Sequence, residues 1–312
     1  MPDRIRNPEG KPELDARKFQ HKLGEVATTL ALKISREAYK LGFRPSFSVP
    51  DLYFLVRQAQ QTYSAFYFMN ADERREKDVD WRVAYSVVML PLVRTMIDCL
   101  YNVTTILLNP GVNGHLFRAS GYRLMLESLD RDASRYGGDP KWDDWISRQR
   151  RTIDFDMRSN GFKESEVRAS KALWPTLSRY LRVDPKSTST PHQDFLRSLT
   201  LGFWQEYSGI SHATFQGLLP IGIFLAPNDL LHEDRPKVDD SFETILSIHM
   251  PRISAILLCI LTETQAHFRF DGANINKRLH EIWNELTIAP EIKELYDERY
   301  EKLMKDKGIN PE

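Results

Sequence analysis

The sequence predicts an all-α protein, a multi-helix bundle with up to about ten helices. Three observations support this fold class. Apolar residues recur at helical spacing along most of the 312 residues, and period-two alternation is nearly absent. Two long stretches, about 79–108 and about 240–270, are apolar nearly all round. Because a helix of that kind must be covered on every side, we expect the other helices to pack around these two.

The balance of positive and negative charges argues against nucleic acid or an anionic membrane as the main partner. Lysine plus arginine and aspartate plus glutamate both number 43, so the formal net charge is zero. Proteins dedicated to nucleic acid or to anionic membranes normally carry a basic excess. The stretch 83–108 is long enough to span a bilayer, but Arg94 and Asp98 near its centre argue against a membrane segment.

The compartment follows from the cysteines and the N-terminus. Cys99 and Cys259 lie in apolar surroundings and predict two buried free thiols, which fits a reducing environment. The first ten residues lack the apolar core of a signal peptide. We therefore expect a cytoplasmic protein.

Proline, glycine and capping residues, together with the spacing of apolar residues, predict the N-terminal helices. Residues 1–13, with three prolines, predict a disordered lead-in to a single domain over 14–306. A first helix is expected over 14–41, where Gly42 ends it. A second helix is expected from Pro50 to about Met69, since Ser48 and Asp51 provide its cap.

The middle elements are predicted in the same way. The central helix, 79–108, ends at the Asn-Pro-Gly sequence 109–111. The next helix runs to the Gly-Gly pair 137–138, and Asp139-Pro140 begins another. Short helices are expected within 165–181, with a break near Trp174-Pro175.

The C-terminal half begins after a candidate internal linker, 183–191, which is rich in Ser, Thr and Pro. The helical spacing after it predicts one helix over 191–209, a broken helix over 217–227, the second long apolar helix kinked at Pro251, and two amphipathic helices over 274–287 and 290–305. A disordered tail is expected over 307–312.

A polar stripe runs along the central apolar helix. Its members recur at spacings of four, four and three: Arg94, Asp98, Asn102 and Thr105. An internal network that fixes helix register is one interpretation, because a buried charge left unpaired costs several kcal/mol. The other is a site for an anion or polar ligand, with Arg94 as the donor and Asp98, Asn102 and Tyr207 beside it.

A second candidate site lies in 205–212, where most side chains can form hydrogen bonds and a helix break is expected. Its candidate catalytic residues are Glu206, Ser208, Ser211 and His212. His212 and Ser211 would form a proton-transfer pair, with Glu206 as the orienting group. The structural interpretation is a buried histidine beside capping hydroxyls.

Two weaker candidates remain. Glu263 and His267 lie four residues apart, which suits either a metal pair or an intrahelical hydrogen bond. The region 146–186 carries ten basic residues against five acidic ones, with Trp174 and Tyr180 among them. This region would either bind a nucleic-acid backbone or form a solvated helical surface.

Motifs for common chemistries are absent from the sequence. It contains no His-Glu-x-x-His, no Gly-x-Ser-x-Gly, no Walker loop and no Gly-x-Gly-x-x-Gly. Hydrolase, nucleotidyl-transfer and dehydrogenase readings therefore lack motif support, and no cofactor or metal is predicted.

The combination of Arg94-x3-Asp98 on a long helix with a later Tyr207–His212 segment ending in Ser-His resembles bacterial all-helical families of unknown function. In those families the acid of the pair is usually Glu. The chain is also similar in outline to the HEPN group, helical domains of toxin and phage-defence ribonucleases, which would imply a defence-related activity. The HEPN signature Arg-x4-6-His is absent, and Arg17-x3-His21 is the nearest spacing.

Two functional hypotheses follow. The first is a non-enzymatic helical scaffold or interaction protein, self-associating, with a structural polar network. The second is an enzyme or a protein that binds a small ligand or anion between the two apolar helices, with Arg94 and His212 facing the site.

Overall fold

The computed structural model describes residues 16–71, 79–182, 188–199, 235–272 and 274–310. All regular structure within these ranges is helical, without a single strand. The predicted all-α multi-helix bundle is therefore confirmed.

Two long helices form the centre of the bundle. α3 (Val79–Leu108) and α9 (Arg235–Phe268) pack against each other. From His249 to Leu261 every side chain of α9 except Arg252 is buried. Such a helix is stable only when neighbours cover all of its faces, and the remaining helices provide that cover.

Three helices cover the central pair. α2 (Ser48–Ala71) packs on α3, and α1 (Ala16–Glu37) packs on α2 and α9. Near the C-terminus of the chain, helix Ile275–Leu286, called α10, lies on α1 and α9. The inward face of α1 consists of side chains three and four positions apart, all fully buried: Leu23, Val26, Ala27, Leu30 and Ile34.

A single π-helical turn, Pro110–Gly114, connects α3 to the next segment. The Asn109 side chain accepts a hydrogen bond from the Val112 amide, and Asn113 Nδ2 donates to the Thr105 carbonyl at 2.6 Å. A Cβ on Gly114 would lie 2.2 Å from Ser48 Oγ, so the contact with the start of α2 requires glycine.

The following helices form what we call the arm, residues 115–169. It contains α4 (His115–Tyr136), α5 (Pro140–Ser159) and α6 (Glu164–Ala169). As predicted, α5 begins at Pro140, where Asp139 accepts a hydrogen bond from the Lys141 amide. The arm has a small hydrophobic core of its own, separate from that of the bundle.

Short elements complete the fold. They are α7 (Leu177–Tyr180), α8 (191–199), α11 (Pro290–Leu295), a π-helical turn (Tyr296–Tyr300) and α12 (Glu301–Asp306). α8 begins with a capping box, because Thr190 and Gln193 exchange backbone-to-side-chain hydrogen bonds.

The C-terminal end differs from expectation. Ile309, inside the predicted tail 307–312, is buried in the main core, and its carbonyl accepts a hydrogen bond from His280 Nε2 at 2.6 Å. One apolar residue after Gly308 has no periodicity, so the pattern could not indicate this contact. The predicted lead-in 1–13, the broken helix 217–227 and linker residues 183–187 lie outside the described residues.

None of the described helices combines the length and the apolar character that crossing a membrane requires.

Candidate functional site

The N-terminal half of the polar stripe, Arg94 and Asp98, is an ion pair within α3. Arg94 Nε lies 3.3 Å from Asp98 Oδ2, and the two side chains are 22% and 42% exposed. Burial raises the pKa of the Asp98 carboxyl, although the Arg94 charge opposes this. The pair is therefore partly open to solvent and is not the fully internal pair that the structural interpretation expects.

The C-terminal half of the stripe, Asn102 and Thr105, connects α3 to segments far away in sequence. Asn102 Oδ1 accepts a hydrogen bond from Trp174 Nε1 at 2.8 Å. Thr105 Oγ1 lies 3.2 Å from His192 Nε2 on α8. The geometry of these two residues is that of a structural network, because each fixes α3 against a segment far away in sequence.

His192 is the titratable residue nearest the stripe that sequence reasoning missed. It is 5% exposed, and its Nδ1 has no hydrogen-bond partner among the described residues. Burial, with a smaller contribution from Arg299, lowers its pKa to about 4. The imidazole is therefore neutral at pH 7.

Glu263 and His267 do not form a site together. Glu263 Oε1 accepts a hydrogen bond from Arg299 Nε at 2.7 Å, and the Arg299 guanidinium lies 4.2 Å from the centre of the Phe195 ring. The His267 ring packs edge-on against Phe43 instead. Within the described residues there is no group of three His, Cys, Asp or Glu side chains that could hold a metal ion.

The cysteines are buried and free, as predicted. Burial raises the pKa of both the Cys99 and the Cys259 thiol to about 12, so neither is a thiolate at neutral pH.

The second candidate segment lies outside the described residues. This applies to Glu206, Tyr207, Ser208, Ser211 and His212, so the proton-transfer hypothesis stays a prediction.

The basic region 146–186 is partly neutralised by ion pairs. Arg150 and Arg168 share the carboxylates of Asp130 and Glu164, at distances between 2.6 and 3.4 Å. Arg148 pairs with Asp144, and Lys163 pairs with Glu166. These pairs reduce the positive potential available to a nucleic-acid backbone.

Two concave surfaces lie elsewhere on the described chain. A groove of about 710 Å³ runs between α1 and α2, with Arg278 of α10 at its rim. A cleft of about 440 Å³ lies between α4 and α5, lined by Leu129, Ile146 and Arg151 among others. Sequence reasoning proposed neither, since it placed the site between α3 and α9.

The end of the arm carries three neighbouring aromatic rings, two of them exposed, which we call the aromatic tip: Tyr136, Trp142 and Trp145. Tyr136 and Trp142 stack with centroids 4.4 Å apart, and Trp145 meets Trp142 edge-on at 5.7 Å. Trp142 and Trp145 are 38% and 39% exposed. The 22 residues of α4 extend about 33 Å, so the tip lies far from the base of the arm at His115.

Comparisons with protein-family models, with curated proteins and with solved structures find no match to this chain.

Proposed function

We propose that this protein is a helical scaffold that self-associates through the aromatic tip of the arm. The observation that carries the proposal is the exposure of two tryptophans, one of them stacked on a tyrosine, at the end of a hairpin that has its own core. Tryptophan and tyrosine dominate binding energy at protein interfaces, and rigid stacked rings lose little entropy on binding.

The arm also contains features that suit a second copy of itself. The cleft between α4 and α5 is lined by residues within a helical turn or two of the tip, such as Ala133 and Ile146. The tip carries both charges, Asp143 and Asp144 beside Lys141 and Arg148. A protruding surface, a recess and both charges on one arm are what a two-fold symmetric interface requires.

The polar stripe supports a scaffold role for α3. Asn102 Oδ1 and Thr105 Oγ1 form hydrogen bonds with Trp174 and His192, which fix α3 against distant segments. The alternative, an enzyme or anion-binding protein with its site between α3 and α9, relies on His212, which lies outside the described residues.

Sedimentation velocity over a concentration series tests the proposal. We expect the wild type to dimerise, and the double variant Trp142→Ala/Trp145→Ala to weaken the dimer at least about tenfold. Phe155→Ala is the matched control, because Phe155 is a 69% exposed ring on the same helix outside the tip. A wild type that stays monomeric at about 100 μM, or an equal effect of the control, would refute self-association through the tip.

A further inference from the structure

The groove between α1 and α2 has the features of a binding site, and it lies on the main bundle, away from the arm. Its volume of about 710 Å³ falls within the range of small-molecule pockets, roughly 300–1,000 Å³. Two rows of residues, each with members four positions apart along one helix, face the groove. α1 contributes Gln20, Gly24 and Thr28, and α2 contributes Gln60 and Ser64.

One end of the groove is closed by hydrogen bonds between the two helices. Gln60 is 7% exposed, and its amide nitrogen donates to Thr28 Oγ1 and, at 3.4 Å, to the Gly24 carbonyl. Arg57 donates to the Gln60 amide oxygen. The Gln60 side chain is thus fully used in positioning α2 against α1.

Gln20 differs from Gln60 in this respect. It lines the same groove and is 8% exposed, yet no hydrogen bond to its side chain is found in the part of the chain that the structure describes. The Gln20 amide is therefore a hydrogen-bonding group on the wall of the groove that is available to a ligand.

Gly24 keeps the groove open. It lies in the interior of α1, where glycine is a much poorer helix former than alanine. A Cβ at this position would meet no atom within 4 Å, so packing does not require glycine there. What the missing side chain provides is free space in the groove.

The charges at the rim are already paired. The Glu25 carboxylate contacts the two basic side chains of the lining, at 2.7 Å from Arg278 Nη1 and 3.3 Å from His21 Nε2. The described lining therefore offers amides and hydroxyls but no unpaired cation for an anionic ligand. At its side lie two exposed rings, Tyr67 and Phe68, packed edge to face.

We infer that the groove between α1 and α2 binds an uncharged, hydroxyl-rich ring compound, a saccharide or a nucleoside. Ring hydroxyls both donate and accept, as an amide such as Gln20 and hydroxyls such as Thr29 and Ser64 require. The apolar face of such a ring packs on aromatic side chains, which Tyr67 and Phe68 supply.

Saturation-transfer NMR followed by calorimetry on the full chain tests this. The probes are glucose, galactose, maltose, trehalose and the four common ribonucleosides, each with its phosphorylated counterpart. We expect at least one uncharged probe to bind with a Kd below about 1 mM. A saccharide and a nucleoside hit both support the inference and identify the source of the ring. No binding by any uncharged probe at about 10 mM, or a phosphorylated probe that binds at least about tenfold more tightly than its parent, would overturn it.

Two variants locate the bound probe. Gly24→Leu fills the groove with a good helix former, so we expect binding to fall at least about tenfold while thermal stability is kept or raised. Gln20→Leu removes the amide and should weaken binding by a similar factor. Ser35→Leu, an exposed position on the same helix outside the groove, is the matched control. Unchanged binding by Gly24→Leu would place the probe elsewhere and overturn the assignment of the groove.

Discussion

The main bundle and the arm are built from similar helices but differ in what holds them together. The core of the bundle joins residues as far apart in sequence as Leu23 and Ile309. Among the described residues, the buried side chains of the arm core all lie between Tyr122 and Val167: Tyr122, Leu126, Leu129, Ile153, Met157, Phe162 and Val167. The arm therefore depends on contacts between neighbours in sequence, and the bundle depends on contacts between distant segments.

Polar and aromatic contacts together attach the arm to the bundle, since Phe47 packs on Phe162 of the arm core with ring centroids 5.1 Å apart. Arg118, at the base of α4, contacts the Asp51 carboxylate of α2 at 2.9 Å and donates to the Phe47 carbonyl at 3.0 Å. Trp174 completes the attachment, since its backbone amide donates to Ser120 Oγ and its indole donates to Asn102. Because the core of the arm is small, the arm should open locally before the bundle unfolds.

The largest expected effect comes from the core of the bundle. Trp283 is fully buried, donates to Thr262 Oγ1 at 3.0 Å and stacks on Tyr300. We expect Trp283→Ala to lower the free energy of global unfolding by about 3–5 kcal/mol in chemical denaturation. Phe162→Ala, the matched change in the core of the arm, should increase hydrogen exchange in the arm and affect exchange in α9 far less. Equal exchange effects of both variants in the two regions would mean that arm and bundle form one cooperative unit.

The second effect is a response of the bundle to acid. The pKa of His192 is about 4 in the folded protein against an ordinary value of 6.5. Its contribution to stability is therefore complete above pH 6.5 and is lost as the pH falls towards 4. Between pH 7 and pH 4.5 we expect the wild type to lose about 2–3 kcal/mol relative to His192→Gln, measured by urea denaturation at both pH values. Parallel losses in the two proteins would contradict the assignment to His192.

The third effect has the opposite sign and belongs to the junction of the arm. Burial raises the pKa of Asp51 to about 6, despite the Arg118 charge. Because the pKa of Asp51 is higher in the folded than in the unfolded protein, its protonation stabilises the folded protein. This stabilisation is complete below pH 3.8 and is lost as the pH rises through 6. Acidification from pH 7 to pH 4.5 should therefore strengthen the attachment of the arm by about 2 kcal/mol relative to Asp51→Asn. Hydrogen exchange of α4, corrected for the intrinsic rate at each pH, measures this, and a difference of the opposite sign would exclude Asp51 as the cause.

The smallest effect concerns one hydrogen bond of the junction. Trp174→Phe removes the indole donor to Asn102 but keeps a ring beside Phe117 and Tyr101. We expect a loss of about 1 kcal/mol, seen in the thermal unfolding of the purified protein. At a protein concentration low enough for the wild type to be monomeric, Trp142→Phe at the aromatic tip should leave the unfolding temperature unchanged, because that ring is exposed. A larger loss for Trp142→Phe would show that the tip is part of a core.

The limits of sequence reasoning appear in particular residues. The stripe on α3 was visible as a periodic pattern, but the pattern could not name Trp174 and His192 as partners, since they lie 72 and 87 residues away. The groove between α1 and α2 had a weaker signal: a glycine inside a helix, with Gln20 and Thr28 four residues to either side of it. That signal becomes meaningful only when Gln60 is known to face it.

The sequence by itself determined the helices, several of their ends and the buried faces. Asp139-Pro140 begins α5, Pro191 begins α8, and Leu23 to Ile34 face the core, because caps and helical periodicity act over a few residues. Only the tertiary structure decided that Arg299 pairs with Glu263, that Arg118 attaches the arm to α2, and that two polar rows enclose a groove. The physical reason is that these contacts join residues 36 or more positions apart, and packing of whole helices fixes them.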